Sequence, residues 1–151
     1  MTKIGRLADT PAASPATRRT IHAEWYAGQS VAALGRPAGI TQFGVNHVVL
    51  APGARSALRH WHEHEDEFVF VLEGALTLID DAGEHALIAG DYAGFSAGAA
   101  NAHHLANFSD APARYLAIGA RHVGVESVHY PDDPEIGVAT VERDAGGERI
   151  G

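Results

Sequence analysis

The chain contains no cysteine among its 151 residues. This excludes disulfide bonds, thiolate zinc sites and a cysteine nucleophile, so any bound metal must use nitrogen and oxygen ligands. Basic residues are also scarce, because 11 Lys and Arg stand against 19 Asp and Glu, giving a formal net charge of −8. That charge argues against a surface for nucleic acid or anionic membranes and favours a soluble protein.

Long apolar runs are absent as well. No segment approaches the length of a membrane span, and the N-terminal residues Lys3 and Arg6 are not followed by the apolar stretch of a secretory signal. We therefore expect a cytoplasmic protein with no membrane partner. The apolar fraction of 46% is still enough for a sizeable core, and the length fits one domain.

Short strand-like segments separated by turn residues run from 41 to 120. The segments lie at 41–50, 67–72, 75–79, 85–88, 92–95, 102–108 and 114–120, and Asp80-Asp81-Ala82-Gly83 has the composition of a hairpin turn. Turn signals at intervals of about 8–12 residues, without a long helical period, predict an all-β sandwich or barrel. We expect irregular flanks, namely an N-terminal arm over 1–40, mobile in its first half, and a C-terminal extension over 121–151.

Histidines and acids are concentrated in the run His60-Trp61-His62-Glu63-His64-Glu65-Asp66-Glu67. Residues two apart on a strand point to the same face, so His60 and His62 can hold one ion between them. Glu67 begins an apolar strand and shares a face with Val69 and Val71. A carboxylate that points into a core needs a cation or hydrogen-bond donors. With a later histidine pair, this set suits a divalent transition metal.

Several assignments stay open at this stage. The acidic run is also compatible with a solvated charged loop. Strand alternation places His103 and His104 on opposite faces, so either can be the distant ligand. His64 is expected at the rim of the site or as a supporting group, and His47 is either a core histidine or a pocket residue.

The two histidine clusters resemble the paired motifs of the cupins, a family of small β-barrel proteins. The first cupin motif is Gly, five residues, His-x-His, three or four residues, Glu, six residues, Gly; the second is Gly, five residues, Pro-x-Gly, two residues, His, three residues, Asn. The matching positions are Gly53, His60, His62, Glu67, Gly74, Gly90, Gly98, His103 and Asn107. One extra residue precedes His60, two extra residues precede His103, and Ser96 replaces the proline.

This resemblance implies an all-β, cupin-type double-stranded β-helix, or jelly-roll barrel, over residues 41–120. It implies that His60, His62, Glu67 and His103 ligate a divalent transition metal, which can be Mn, Fe, Ni, Co or Zn. The spacing to Asn107 favours His103 over His104 as the fourth ligand.

The resemblance leaves three functions open. The first is a metal-dependent enzyme, of the oxygenase, isomerase or lyase type, that acts on a small oxygen-rich molecule. The second is a binding module for a sugar-like or hormone-like ligand, without turnover. The third is a structural ion that staples strands. We also expect a homodimer, because cupins commonly pair and the face formed by Phe68, Phe70 and Leu72 must be covered by the N-terminal arm or a second subunit.

Overall fold

The computed structural model describes residues 1–15 and 22–150 of the chain. Residues 16–21 and 151 lie outside the described part, and with them the end of the expected mobile arm. The described residues form twelve strands and two short 3-10 helices, Leu7–Asp9 and Ala23–Tyr26. Neither helix of this part is long and apolar enough to cross a membrane.

The strands between residues 67 and 120, together with the strand Phe43–Leu50, follow the segments that the sequence predicts. In chain order they are β1 (Ala12–Ala13), β2 (Gln29–Ala33), β3 (Phe43–Leu50), β4 (Trp61–His62), β5 (Glu67–Glu73), β6 (Ala75–Asp80), β7 (Gly83–Ile88), β8 (Tyr92–Phe95), β9 (His104–Ala106), β10 (Ala113–Ala120), β11 (Gly124–His129) and β12 (Val138–Arg143). The all-β prediction is therefore confirmed. The expected hairpin joins β6 to β7, with Asp80 paired to Gly83.

Three antiparallel sheets build the barrel. The largest has the order β1-β2-β3-β10-β5-β8, and the two three-stranded sheets have the orders β12-β11-β4 and β7-β6-β9. Most neighbours in these lists are distant in sequence. The fold therefore brings remote segments side by side, as a metal site with ligands from two clusters requires.

The core is built mainly by residues of the six-stranded sheet and of the sheet β7-β6-β9. Along β5, Val69 and Val71 are buried, whereas Leu72 on the opposite face is 38% exposed. The buried cluster comprises Val48, Leu50, Ala54, Val69, Val71, Leu76, Leu78, Leu105, Ala113 and Tyr115. Because Glu67 lies on the same face of β5 as Val69 and Val71, its carboxylate points toward this interior.

Two residues of the cupin-like motifs fix the chain between strands. Gly74 has φ +84°, and a Cβ there would lie 3.0 Å from the backbone of Pro112 and Ala113, so only glycine fits. Asn107 is fully buried. Its amide donates to the carbonyl oxygens of Leu50 and Ala111, at 2.9 and 2.8 Å. These bonds hold the segment after β9 against the end of β3.

The flanks differ from the expectation of irregular chain. β2 pairs with β3 and extends the large sheet, while β11 pairs with β12 and with β4. The strands of both flanks lack the strong apolar alternation of the central strands. Their regularity comes from hydrogen bonding to a sheet edge that the barrel already presents.

Candidate metal centre

A backbone bridge brings the two histidine clusters together. The N–H of His60 donates to the carbonyl oxygen of His103 at 3.2 Å, and the N–H of His103 donates to that of His60 at 3.0 Å. His62 follows on β4, and the N–H of Gly98 donates to its carbonyl oxygen at 2.8 Å. The first cluster is therefore fixed to the segment of the second by main-chain bonds alone.

Glu67 is the centre of the cluster, with each carboxylate oxygen facing different imidazoles. Oε1 lies 3.0 Å from Nε2 of His62 and 3.7 Å from Nε2 of His60. Oε2 lies 2.7 Å from Nε2 of His103. One ligand atom each from His60, His62 and Glu67 all lie within 4.8 Å of one another. Three of the four predicted residues thus form a candidate metal-binding group, and His103 joins them through its contact with Oε2 of Glu67.

The outer ring nitrogens set the orientation of two of these histidines. Nδ1 of His60 lies 2.8 Å from the carbonyl oxygen of Leu58, and Nδ1 of His103 lies 3.1 Å from that of Asn101. A carbonyl only accepts, so each Nδ1 carries the proton and each Nε2 is directed to the centre. At His103 both ring nitrogens face acceptors, the carbonyl oxygen of Asn101 at Nδ1 and Glu67 at Nε2. The contact at Nε2 requires either a second proton on the ring or a cation between the ring and the carboxylate. The donor set fits a divalent cation.

The electrostatics of the cluster follow from burial and close pairing. Burial by itself raises the pKa of Glu67, but the neighbouring imidazoles of His103, His60 and His62 hold it well below its ordinary value. Burial lowers the pKa of His62, yet the hydrogen bond and charge of Glu67, with the charges of Glu65 and Glu126, raise it overall. The carboxylate therefore stays ionised and holds positive charge near it.

A cavity of about 180 Å³ opens beside the cluster. It is lined by Trp61, His62, Glu65, Glu67, Gly94, Phe95, Ser96, Ala99, Asn101 and His103. The Phe95 ring stacks on that of His103, with centroids 3.5 Å apart. The volume is below the ~300–1,000 Å³ of pockets for drug-sized molecules, so the cavity suits a small ligand.

The two histidines of the second cluster point to different surroundings. His103 contacts Glu67, whereas Nδ1 of His104 lies 2.8 Å from the carbonyl oxygen of Ala57 and its ring lies 6.4 Å from that of Trp25. Burial, as the main cause, lowers the pKa of His104 below its ordinary value. His104 is therefore a neutral core histidine in this structure, away from the cluster.

The other two histidines left open by the sequence also lie outside the cluster. His64 is about half exposed and stacks on His122, with centroids 4.6 Å apart. His47 is buried on the outer face of the large sheet, where its Nε2 accepts a hydrogen bond from Nε of Arg114 at 3.0 Å. Burial and the Arg114 charge lower the pKa of His47, which keeps this nitrogen free to accept.

Two buried carboxylates near His62 were not singled out by the sequence. Glu126 of β11 is 1% exposed and accepts the backbone N–H groups of Glu63 and His64 at 2.9 and 3.0 Å. Glu65 is 5% exposed and accepts Nε of Arg143 at 3.1 Å. Glu126 thus fixes the turn between β4 and β5, and with it the separation of His62 from Glu67. The only sequence signal for Glu65 was the acidic run itself, in which buried and solvated acids look alike, and Glu126 lies outside that run.

Replacing Glu67 by glutamine tests the electrostatic coupling in metal-free protein. In the wild type the pKa of His62 is raised above 6.5 despite burial, mainly by the hydrogen bond and charge of Glu67. We expect this pKa to fall in Glu67→Gln, because the neutral amide no longer stabilises the imidazolium. A raised folded-state pKa stabilises the fold below pH ~6.5, and this contribution is lost as pH rises through the folded-state pKa. NMR titration of the histidine ring signals, with a chelator present, measures the change.

The matched control is Glu63→Gln, because Glu63 carries the same charge on the same turn but is exposed and directed to His129. It should leave the pKa of His62 unchanged. An equal pKa in wild type and Glu67→Gln would contradict the coupling.

Comparison with known proteins agrees with this architecture. The cupin domain family matches residues 46–119. No curated protein matches the chain. A crystal structure described as a sugar phosphate isomerase of the cupin superfamily, from Silicibacter pomeroyi, is 38% identical, with 93% of this chain and 92% of that chain covered and a TM-score of 0.76.

Two more distant structures share the fold. The polyketide cyclase RemF from Streptomyces resistomycificus is 19% identical, with 80% of each chain covered and a TM-score of 0.64. A cupin 2 conserved barrel domain protein from Salinispora arenicola is 20% identical, with 80% of this chain and 89% of that chain covered and a TM-score of 0.58. The paired motifs, the β-barrel and the 38% identical relative together show that the chain belongs to the cupin superfamily.

Proposed function

We propose that this cupin binds a divalent transition metal through His60, His62, Glu67 and His103, and uses it to act on a small oxygen-rich molecule. Isomerisation is the preferred reaction among the oxygenase, isomerase and lyase types, because the 38% identical relative is described as a sugar phosphate isomerase. The observation that carries the proposal is the convergence of three imidazoles on the two oxygens of one partly buried carboxylate.

The donor chemistry supports the metal. Imidazole nitrogen and carboxylate oxygen suit Mn, Fe, Co, Ni and Zn, and the identity of the ion stays open. A divalent cation with free coordination positions binds and polarises the oxygen atoms of a ligand. The chain's own contribution is to orient the imidazoles through Leu58 and Asn101 and to supply the negative charge of Glu67.

The cavity argues against a purely structural ion. His62, Glu67 and His103 all line it, so a ligand in the cavity meets the cluster directly. A stapling ion needs no such access. The side chains of Ser96 and Asn101 offer hydrogen bonds for orientation, and Phe95 and Trp61 offer apolar surface.

A binding module is the second candidate, and one observation favours it. Isomerisation needs a group that moves a proton, and the only carboxylates among the described lining residues are Glu67, assigned here to the metal, and Glu65, paired with Arg143. None of the described lining residues is Lys or Arg, so a phosphate group would find no cationic side chain among them.

Metal occupancy tests the ligand assignment. His62→Ala should lower the metal content of untagged protein by at least about tenfold, because a ligand is lost. His64→Ala should leave it within about twofold, because His64 stacks on His122 outside the cluster. Elemental analysis after dialysis against a buffered metal solution measures both variants. Equal losses would show that the assigned register is wrong.

Turnover separates the enzyme from the binder. Metal-loaded protein is mixed with aldoses, ketoses and their phosphates, and NMR follows product and solvent-deuterium incorporation. We expect metal-dependent interconversion that His62→Ala abolishes. Ligand-induced thermal stabilisation without product would instead establish the binding module. If neither product nor thermal stabilisation is observed, the structural ion is the function that remains.

The outer face of the large sheet supports the proposed homodimer. Cross-strand neighbours form apolar rows there, since Phe68 lies beside Ile118 and Ile118 beside Val45. At the end of the sheet, Tyr92 is 68% exposed and stacks on Phe68. The N-terminal strands extend the edge of this sheet beside β3. A contiguous apolar face of this kind marks an interface, and a second copy of the chain covers it.

Light scattering tests the dimer. At about 50 μM the wild type should have twice the mass of the chain, and the double variant Phe70→Glu/Ile118→Glu should be monomeric, because two charges per subunit would be buried. Ile88→Glu is the matched control, since Ile88 is exposed on β7 in a different sheet. A monomeric wild type at this concentration would refute the dimer.

A further inference from the structure

His62 differs from His60 and His103 in how its outer ring nitrogen is held. Those two rings use Nδ1 to bond a backbone carbonyl. Nδ1 of His62 is buried and has no hydrogen-bond partner within bonding distance. A carboxylate oxygen, Oε2 of Glu65, lies 3.7 Å away, and the side chain of His62 is only 15% exposed. A buried ring nitrogen without a partner is costly, and the Glu65 carboxylate is close enough to become that partner.

The Glu65 carboxylate is itself fixed in place. It is 5% exposed. Its Oε1 accepts the backbone N–H of His122 at 3.0 Å and Nε of Arg143 at 3.1 Å. The second oxygen, Oε2, faces Nδ1 of His62 at 3.7 Å. The other end of the Arg143 guanidinium donates to the carbonyl oxygen of Gly147 at 3.3 Å. Arg143 is the last residue of β12, in the C-terminal flank.

We propose that Glu65 is a positioning residue for His62, and that Arg143 holds the Glu65 carboxylate in position. This inference rests on the proposed metal binding by His62. A movement of less than ~1 Å shortens the 3.7 Å separation to a hydrogen bond from Nδ1–H to Oε2. That bond keeps the proton on Nδ1 and the lone pair on Nε2, which faces Glu67. It also makes the imidazole a stronger metal donor.

Through Arg143, the C-terminal flank takes part in holding the Glu65 carboxylate beside the site. Without β12 the Glu65 carboxylate would lose the guanidinium that balances its charge beside the site. The competing explanation is a plain ion pair that fastens β12 to the turn between β4 and β5. That explanation predicts lower stability when the pair is broken, but no change in metal affinity or in the proton on His62 of folded protein.

Metal affinity distinguishes the two explanations. The dissociation constant of Zn²⁺ is measured by competition with a chromogenic chelator, in protein shown to be folded by circular dichroism. Glu65→Gln keeps the side-chain shape and should weaken binding by about 10–100-fold, the usual effect of losing such a supporting group. Arg143→Met should weaken it by a smaller factor, because the carboxylate remains but is no longer anchored.

Glu63→Gln is the matched control. Glu63 carries the same charge two residues from Glu65, but it is exposed and lies 3.3 Å from His129. It should change the dissociation constant by less than about twofold, which separates a specific hydrogen bond from a general effect of negative charge.

A measurement on the wild type keeps the inference testable even where a variant fails to fold. In the Zn²⁺-loaded protein, ¹H–¹⁵N NMR of the imidazoles should show a slowly exchanging proton on Nδ1 of His62, at the low-field position of a hydrogen bond to carboxylate. A rapidly exchanging Nδ1 proton, or a Glu65→Gln affinity within twofold of wild type, overturns the positioning role alone. A wild type that binds no Zn²⁺ or other divalent metal overturns the proposed function as well.

Discussion

The carboxylate of Glu67 is the constraint on which the site depends. It begins β5 on the face that continues as Val69 and Val71, so the strand carries its charge toward the core. Removing a carboxylate from water costs several kcal/mol unless opposite charge and hydrogen bonds replace the lost hydration. Here the imidazole nitrogens of His103 and His62 lie 2.7 and 3.0 Å from its oxygens, and that of His60 lies 3.7 Å away. Moving these imidazoles away from Glu67 would therefore destabilise the barrel.

Each sheet contributes to this centre. Glu67 comes from the six-stranded sheet, His62 from the sheet of β4, and His103 directly precedes β9 of the third sheet. The barrel must close before the donors meet, since they lie on segments that are distant in sequence and are joined by the His60–His103 bridge and the bond from Gly98 to His62. Folding thus assembles the site, and the proposed cation would in turn stabilise the closed barrel, because it binds the folded chain alone.

Much of this architecture is predictable from local sequence. Turn residues and short β-branched segments predicted most central strands, the 80–83 hairpin and the inward face of β5, because these depend on neighbours within a few residues. The strands of the flanks were missed. β11 and β12 are held by pairing to each other and to β4, and pairing between distant segments leaves no periodic signal.

The same limit applies to the site. The spacing of the cupin-like motifs selected His60, His62, Glu67 and His103, which the structure brings together. Glu65 was not selected, because the run at 60–67 mixes buried and solvated acids of the same type. Glu126 was not selected, because it lies on β11, outside both histidine clusters. What distinguishes Glu65 from Glu63 is a partner 78 residues away, Arg143. A local pattern contains no information about such a partner.

The charges around His62 bear on how a ligand would be chosen. Glu65 is balanced by Arg143, which leaves Glu67 and the buried Glu126 as two negative charges near the ring. A divalent cation would bring this set close to neutrality. Since the described lining residues include no Lys or Arg, attraction of a strongly anionic ligand would be weak. Recognition would then rest on oxygen coordination, the hydrogen bonds of Ser96 and Asn101, and the fit of a small molecule against Phe95. Under the proposed function, this favours an uncharged, oxygen-rich ligand over a strongly anionic one.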